Sequence, residues 1–144
     1  MFCPVTEDLL DTAMEILNPN THYNILENGN PVRTAEEAEN MFLNGNTESY
    51  LVYLENRYIG IIDFLENNPN DNCPWIGLLM IHADYHSKGY GKKVYNLFEE
   101  ELKKRGFNKV RIGIMTGNTG AKRFWISLGF KFSQIKIGKT RGLA

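Results

Sequence analysis

The chain has 144 residues, enough for one domain with a real core, and its 42% hydrophobic and 12% aromatic content argues against disorder. Sixteen basic side chains stand against seventeen acidic ones, net −1, so the overall balance points to neither a nucleic-acid nor a membrane surface and any electrostatic argument has to be local. With no apolar run near the ~18 residues of a membrane span, no basic-then-apolar leader, and only Cys3 and Cys73 as thiols without metal-like spacing, a cytoplasmic, metal-free protein with reduced cysteines is expected.

In chain order, Phe2 to Val5 make a short first strand. Thr6 caps a helix with Glu7 and Asp8 in its first turn and Leu9, Leu10, Ala13, Met14 and Leu17 at helical spacing. Asn18-Pro19-Asn20 stops it, and the segment through Asn28-Gly29-Asn30-Pro31 is rich in breakers and reads as irregular. Thr34-Ala35-Glu36-Glu37 matches a capping box ahead of Ala38, Met41 and Phe42, a second short helix that ends near Asn44-Gly45. Residues Tyr50 to Leu54 and Tyr58 to Leu65, joined by Glu55-Asn56-Arg57, have the pattern of an antiparallel hairpin, followed by a polar turn from Glu66 to Asn72. Trp75 to Ile81 is nearly continuous in apolar residues, as expected of a central strand covered on both faces.

Next comes His86-Ser87-Lys88-Gly89-Tyr90-Gly91-Lys92-Lys93, which reads as an anion-binding turn. Two glycines one residue apart stand where a helix opens with unpaired N–H groups and its positive dipole end, and three lysines surround them. The dinucleotide fingerprint fails because Val94 replaces its third glycine, and the P-loop fails because Lys93 replaces its Ser or Thr. A glycine turn that merely joins strand to helix is the competing reading. The helix behind it carries Val94, Leu97, Phe98 and Leu102 on one stripe, with Gly106 as its stop. A strand over Lys109 to Met115, a helix capped by Asn118 with Ala121, Phe124, Trp125 and Leu128, and a last strand from Phe130 to Ile137 complete the order β-α-α-β-β-β-α-β-α-β. That order implies an α+β or three-layer α/β domain with a mixed sheet, spanning residues 1–144 as one unit.

Two motifs give the chain a known likeness. Gly89 and Gly91 fall on the glycines of the Gln/Arg-x-x-Gly-x-Gly/Ala signature, and Asn118, Ala121, Phe124, Trp125, Gly129 and Phe130 follow a second pattern, so the whole chain resembles the GCN5-related N-acetyltransferases (GNAT). The resemblance implies a mixed, mostly antiparallel sheet splayed between the fourth and fifth strands, with helices on both faces. It implies acetyl-CoA as co-substrate, with His86, Ser87, Lys88, Gly89, Tyr90, Gly91 and Lys92 wrapping the pyrophosphate. Met80 and Ile81 would bond the pantetheine through the main chain, and Asn118, Ala121, Phe124 and Trp125 would line its other side. The amine would come to a pocket near His22 and Tyr23, a small molecule rather than a protein being the favoured substrate, with the chain a monomer or homodimer.

The chain departs from the family pattern in places that touch the chemistry. His86 stands where Gln or Arg is usual, and Trp125 stands where many relatives carry a tyrosine that protonates the leaving thiolate, a task an indole N–H cannot perform. Tyr95 and Tyr90 are the substitute donors. The strand from Trp75 to Ile81 has no carboxylate, so the base is sought at Asp63, His82 or Asp84. For Asp63 a strand residue bonded to a turn is an equal alternative, a capping or loop histidine is the commoner reading of His82, and Trp75 is expected to fill the core. The family also closes with a two-strand hairpin, where this sequence shows one strand and a tail at Gly138-Lys139-Thr140-Arg141, so the final strand is either missing or supplied by a partner. An amine acetyltransferase is the leading reading; a non-catalytic acyl-CoA sensor and a nucleotide-binding protein are the alternatives.

Overall fold

A computed structural model of the chain describes residues 1–115, 117–136 and 139–143, with the backbone alone for 132–136 and 139–143. In order the elements are β1 (Phe2–Pro4), a 3-10 turn and α1 (Leu10–Leu17), α2 (Thr21–Asn28), α3 (Ala35–Phe42), β2 (Glu48–Leu54), β3 (Arg57–Asn68), β4 (Cys73–Ile81), α4 (Tyr90–Lys104), β5 (Arg111–Ile114), α5 (Thr119–Ser127), β6 (Lys131–Lys136) and β7 (Lys139–Leu143). The strands form one sheet in the order β1-β2-β3-β4-β5-β7-β6. Every neighbouring pair is antiparallel except β4 and β5.

That parallel pair is also the shortest. β4 and β5 are in register only at Trp75↔Arg111 and Ile76↔Ile112; beyond them β4 runs on to Ile81 while β5 turns its remaining register to β7. The sheet therefore opens between its fourth and fifth strands. Helices cover both faces, with Val94, Phe98 and Leu102 of α4 and Trp125 of α5 packed on one side. Ala13, Ile16 and Leu17 of α1 and Ala38 and Phe42 of α3 pack on the other. Each buried Val, Ile, Leu or Phe among them contributes about 1.5–3 kcal/mol, which is how two apolar helix stripes fix two apolar sheet faces.

Two one-residue bulges decide which residue faces which layer. Between Val52↔Gly60 and Tyr53↔Tyr58 the extra residue is Ile59, and between Phe64↔Ile76 and Asp63↔Leu78 it is Gly77. A bulge reverses the alternation of the strand that carries it. Ile76 accordingly packs under α4 and α5, whereas Leu78, two residues later, packs under α1 and α3.

Local signals behave as their chemistry requires. The capping box forms, Glu37 N–H donating to Thr34 Oγ1 (3.1 Å) and Thr34 N–H to Glu37 Oε1 (2.9 Å). Gly106, at φ +90, ends α4 while Phe107 N–H reaches back to the Leu102 carbonyl at 3.0 Å.

Two expectations are corrected. The segment after Pro19 is not irregular: it contains α2, whose only buried residue is the polar Asn24, so there is no apolar stripe to read. Asn24 is fully buried, donates through Nδ2 to the carbonyls of Leu17 and Pro31 (3.0 Å each) and accepts from Arg33 Nε at 3.2 Å. Hydrogen bonds hold this helix where apolar contacts hold the others. The final strand is likewise neither missing nor borrowed, because β7 inserts between β5 and β6. Its residues lack apolar alternation, and pairing on both edges places it instead. Ile137 and Gly138, which the sequence assigns to the end of β6 and the start of a tail, lie outside the described residues.

Candidate active site

The opening between β4 and β5 is a cleft of about 800 Å³. One wall is β4 from Trp75 to Ile81, the opposite wall comprises Gly113, Ile114 and Met115 with Asn118, Ala121 and Trp125, and one end is closed by Asn20 to Tyr23 at the start of α2. Asn68 and Asn70 line it beyond Trp75, while Ala83 and His86 line the end nearest the glycine turn. Met80, Ile81, His86, Asn118, Ala121 and Trp125 therefore share one cavity, with His22 and Tyr23 in the same space. Asn118 also caps α5, its Oδ1 accepting from Ala121 N–H at 3.2 Å.

The turn at the mouth is built from alternating backbone signs. Ser87 sits at φ +61 and Gly89 at φ +82, in the left-handed region that glycine tolerates and serine does not favour. Among the described residues no acceptor takes the backbone N–H groups from Ser87 through Lys92, and the first bond of the helix is Lys93 N–H to the Gly89 carbonyl at 3.2 Å. A row of free N–H groups at a helix start is what an anion requires. The two glycines serve different needs: Gly89 supplies the conformation, with nothing within 4 Å of a Cβ placed there, whereas a Cβ on Gly91 would meet the Phe124 ring at 3.0 Å. Lys92 lines a shallow groove of about 490 Å³ along α4 with Gly89, Lys93 and Asn96. The turn is braced from outside by the β2–β3 hairpin, where Arg57 Nη1 donates to Tyr85 Oη (2.7 Å) and Tyr90 Oη donates to Glu55, with Lys88 Nζ 5.9 Å from the Tyr85 ring centre.

His86 turns inward. Its Nε2 lies 2.7 Å from the Ile81 carbonyl, which can only accept, so Nε2 carries the proton and a neutral His86 has no second N–H to give. Asn20 Nδ2 donates to the same Ile81 oxygen at 3.1 Å. With both lone pairs engaged, the Ile81 carbonyl is committed within the protein.

The three candidate catalytic side chains stand in different places. Tyr95 is buried, donates to Glu99 Oε1 (3.1 Å) and packs edge-on against Trp125 (5.4 Å) and Phe130 (5.4 Å); burial, then the Glu99 charge, raises its phenol well above the ordinary tyrosine range. It does not line the cleft. His82 heads a 3-10 turn, where its Nδ1 accepts from Asp84 N–H at 3.0 Å, the capping role that occupies the lone pair a base would need. Asp63 is half-buried and faces Gly77: its Oδ2 would be 3.6 Å from a Cβ placed on that glycine, which is exposed and lines the cleft. Ser49 Oγ donates to its Oδ1 at 2.7 Å. Trp75 is 8% exposed, so it fills the core as expected, yet it also lines the cleft, its Nε1 donating to the Asp71 carboxylate (3.0 Å to Oδ2). Sequence reasoning missed Gly77 and Asn20, whose roles depend on a bulge and a cross-element bond that leave no spacing signature.

Burial pushes the Asp63 carboxyl above the usual carboxylate range, against the lowering by the Thr47 and Ser49 hydroxyls. The folded chain therefore retains a proton on Asp63 at pH values where the unfolded chain has lost it. Folding stability from this group falls as pH rises from the ordinary range through the raised value. Asp63→Asn is expected to be at least as stable as the parent at neutral pH and to lose less stability between acid and neutral pH. Urea denaturation at the two pH values checks this, and a strongly destabilised variant would contradict it.

The comparisons agree with this geometry. No curated protein sequence matches the chain. Among solved structures, an acetyltransferase from Thermus thermophilus superposes with a TM-score of 0.87 at 18% identity, covering 100% of this chain and 95% of that one. The PaiA N-acetyltransferase of Thermoplasma acidophilum in complex with coenzyme A gives 0.75 at 16% identity, covering 99% and 96%. The ribosomal-protein-alanine N-acetyltransferase of Brucella melitensis gives 0.70 at 17%, covering 100% and 98%. At these identities the likeness establishes the fold. The family model described as the acetyltransferase (GNAT) family matches residues 8–130, and the chain belongs to that family.

Proposed function

We propose that the protein transfers the acetyl group of acetyl-CoA to a primary amine by direct attack, the two substrates meeting in the cleft between β4 and β5. The observation that carries this reading is the row of unpaired N–H groups from Ser87 to Lys92 at the mouth of a cleft whose walls are two separated strands. It fits a pyrophosphate at the turn and an extended pantetheine arm along β4 past Met80, with Asn118, Ala121 and Trp125 opposite. Acetyl-CoA bound there supplies the activated thioester.

The residues divide the remaining work. The backbone of the turn, with Lys88 and Lys92, carries the negative charge, while His86 stays on the Ile81 carbonyl and orients the turn. Asp63, across the Gly77 gap, takes one proton from the entering ammonium so that the neutral amine can form its bond to the carbonyl carbon. When the C–S bond breaks, the second nitrogen proton goes with the thiolate, giving amide and free CoA thiol. A thiol leaves readily near neutral pH, so Trp125 in place of a tyrosine and Tyr95 turned to Glu99 do not prevent turnover. A small amine is the favoured substrate, and a cytoplasmic setting suits acetyl-CoA; no described helix is long and apolar enough to cross a membrane.

A free-thiol assay with acetyl-CoA and a panel of amines, amino acids, polyamines, aminosugars and peptides tests the reading. Thiol release dependent on one class of amine is expected. CoA binding with silence across the panel would favour the second reading, a non-catalytic acyl-CoA sensor, which the engaged lone pair of His82 and the inward Tyr95 favour.

A further inference from the structure

One carboxylate stands behind the wall of the cleft: Asp63 is not among the lining residues, and its Oδ2 is 3.6 Å from where a Cβ on the lining Gly77 would be. Among the described residues lining the cleft there is no lysine or arginine. The nearby cations are already matched: Arg33 is buried against Glu27, and Arg111 Nε lies 3.5 Å from Asp71 Oδ2. Asp63 has no such partner among the described residues. Ser49 engages its Oδ1, and its Oδ2 is turned toward the one position on β4 that carries no side chain. Any larger residue at 77 would stand across that carboxylate, since a Cβ there meets Asp63 alone within 4 Å.

The gap at Gly77 is built by the β3–β4 bulge, which places an unpaired residue beside Asp63 in a strand that is otherwise apolar on both faces. Tyr23 covers the same region from α2. Its phenol is pushed up to about 12 by burial and by Glu27, against Arg33, with the Asp63 charge adding to the rise, so the ring stays neutral beside the carboxylate. The surroundings are thus the Asp63 carboxylate behind Gly77, the amides of Asn68 and Asn70, the His22 imidazole and the aromatic roof of Tyr23.

We infer that Asp63, reached past Gly77, selects the amine substrate by its ammonium charge, and that the substrate is a compact cationic amine bearing no carboxylate beside its nitrogen. This rests on the amine-transfer reading above and names its substrate class. A carboxylate next to the nitrogen would be carried toward Asp63 with no lysine or arginine in the lining to receive it, a like-charge contact that opposes binding. Amino acids and acidic amines are thereby excluded, and decarboxylated amines, diamines and aminosugars are admitted.

The test uses pairs that differ only by that carboxylate, tyramine with tyrosine, agmatine with arginine and histamine with histidine, titrated calorimetrically into CoA-loaded protein. Each amine is expected to bind at least tenfold more tightly than its carboxylated partner. Asp63→Asn is expected to weaken amine binding at least tenfold and to leave CoA affinity unchanged. Gly77→Val, which closes the gap from the β4 side and leaves the Asp63 carboxylate itself in place, is expected to do the same. Equal binding within the pairs, amine binding untouched by both substitutions, or no amine binding by CoA-loaded protein would overturn the inference. Failure of CoA itself to bind would instead overturn the acetyl-transfer reading, and the first titration reports it before any amine is added.

Discussion

Gly89→Glu is expected to weaken CoA binding at least 100-fold, a loss of about 2.7 kcal/mol, in a chain that stays folded. The loss has a steric and an electrostatic half. Gly89 sits at φ +82, so any L-residue there costs about 1–2 kcal/mol in backbone strain, but nothing lies within 4 Å of its Cβ and no core contact is disturbed. The carboxylate of the variant would lie beside the free N–H groups of residues 87 to 92 and compete for the site the pyrophosphate uses. Gly89→Ala separates the halves: it carries the same strain without the charge, and is expected to lose only a few-fold in affinity. Calorimetric titration with CoA, paired with thermal denaturation of each variant, reads both. If alanine proved as damaging as glutamate, conformation would be the whole effect and the anion argument would fail.

Phe64→Ala is expected to have the largest effect on stability, about 3–5 kcal/mol. That is a large share of the roughly 5–15 kcal/mol of a typical domain. Phe64 is fully buried on β3, edge-on to Phe98 of α4 (5.5 Å) and to Phe107 beyond it (5.8 Å). The Arg105 guanidinium stacks over the same ring at 5.5 Å while bonding Glu48 at 3.0 Å and Glu66 at 3.2 Å. Truncation leaves a ring-sized void beneath α4 and removes the surface on which Arg105 is held. A urea midpoint shift reports the loss, and a cost under about 1 kcal/mol would mean that α4 collapses into the space far more freely than close-packed interiors do.

Much of the fold was legible because its signals are local. The Thr34 to Glu37 box, the stripe of Val94, Phe98 and Leu102, from which the expected Leu97 is exposed, and the hairpin around Glu55-Asn56 each state their geometry within a few residues. The turn at residues 86 to 93 was legible for the same reason, since glycine spacing and a helix start are neighbours in sequence. What escaped depends on distant partners. α2 is held by Asn24 bonding across to Pro31 and Arg33, and β7 by pairing on its other edge with β5, a strand distant in sequence. The parity reversals at Ile59 and Gly77 likewise arise from cross-strand register, which is why Asp63 could be named as a candidate but its place behind Gly77 could not. His82 and Tyr95 show the converse: each residue type suits proton transfer, and each is already engaged by a near neighbour, Asp84 N–H and Glu99.

The carbonyl of Ile81, the last oxygen of β4, receives Asn20 from the entrance to α2 and His86 from the glycine turn. Asn20 is anchored as well to the Ile16 carbonyl at 2.8 Å, so α1 belongs to the same junction. Three separate segments are hung from a single hinge pin. The glycine turn is joined through His86 to that oxygen, and through the oxygen to Asn20, one residue before α2 begins. The turn and the start of α2, both at the cleft, thus share one anchor, and a substitution that moves either is felt at the other.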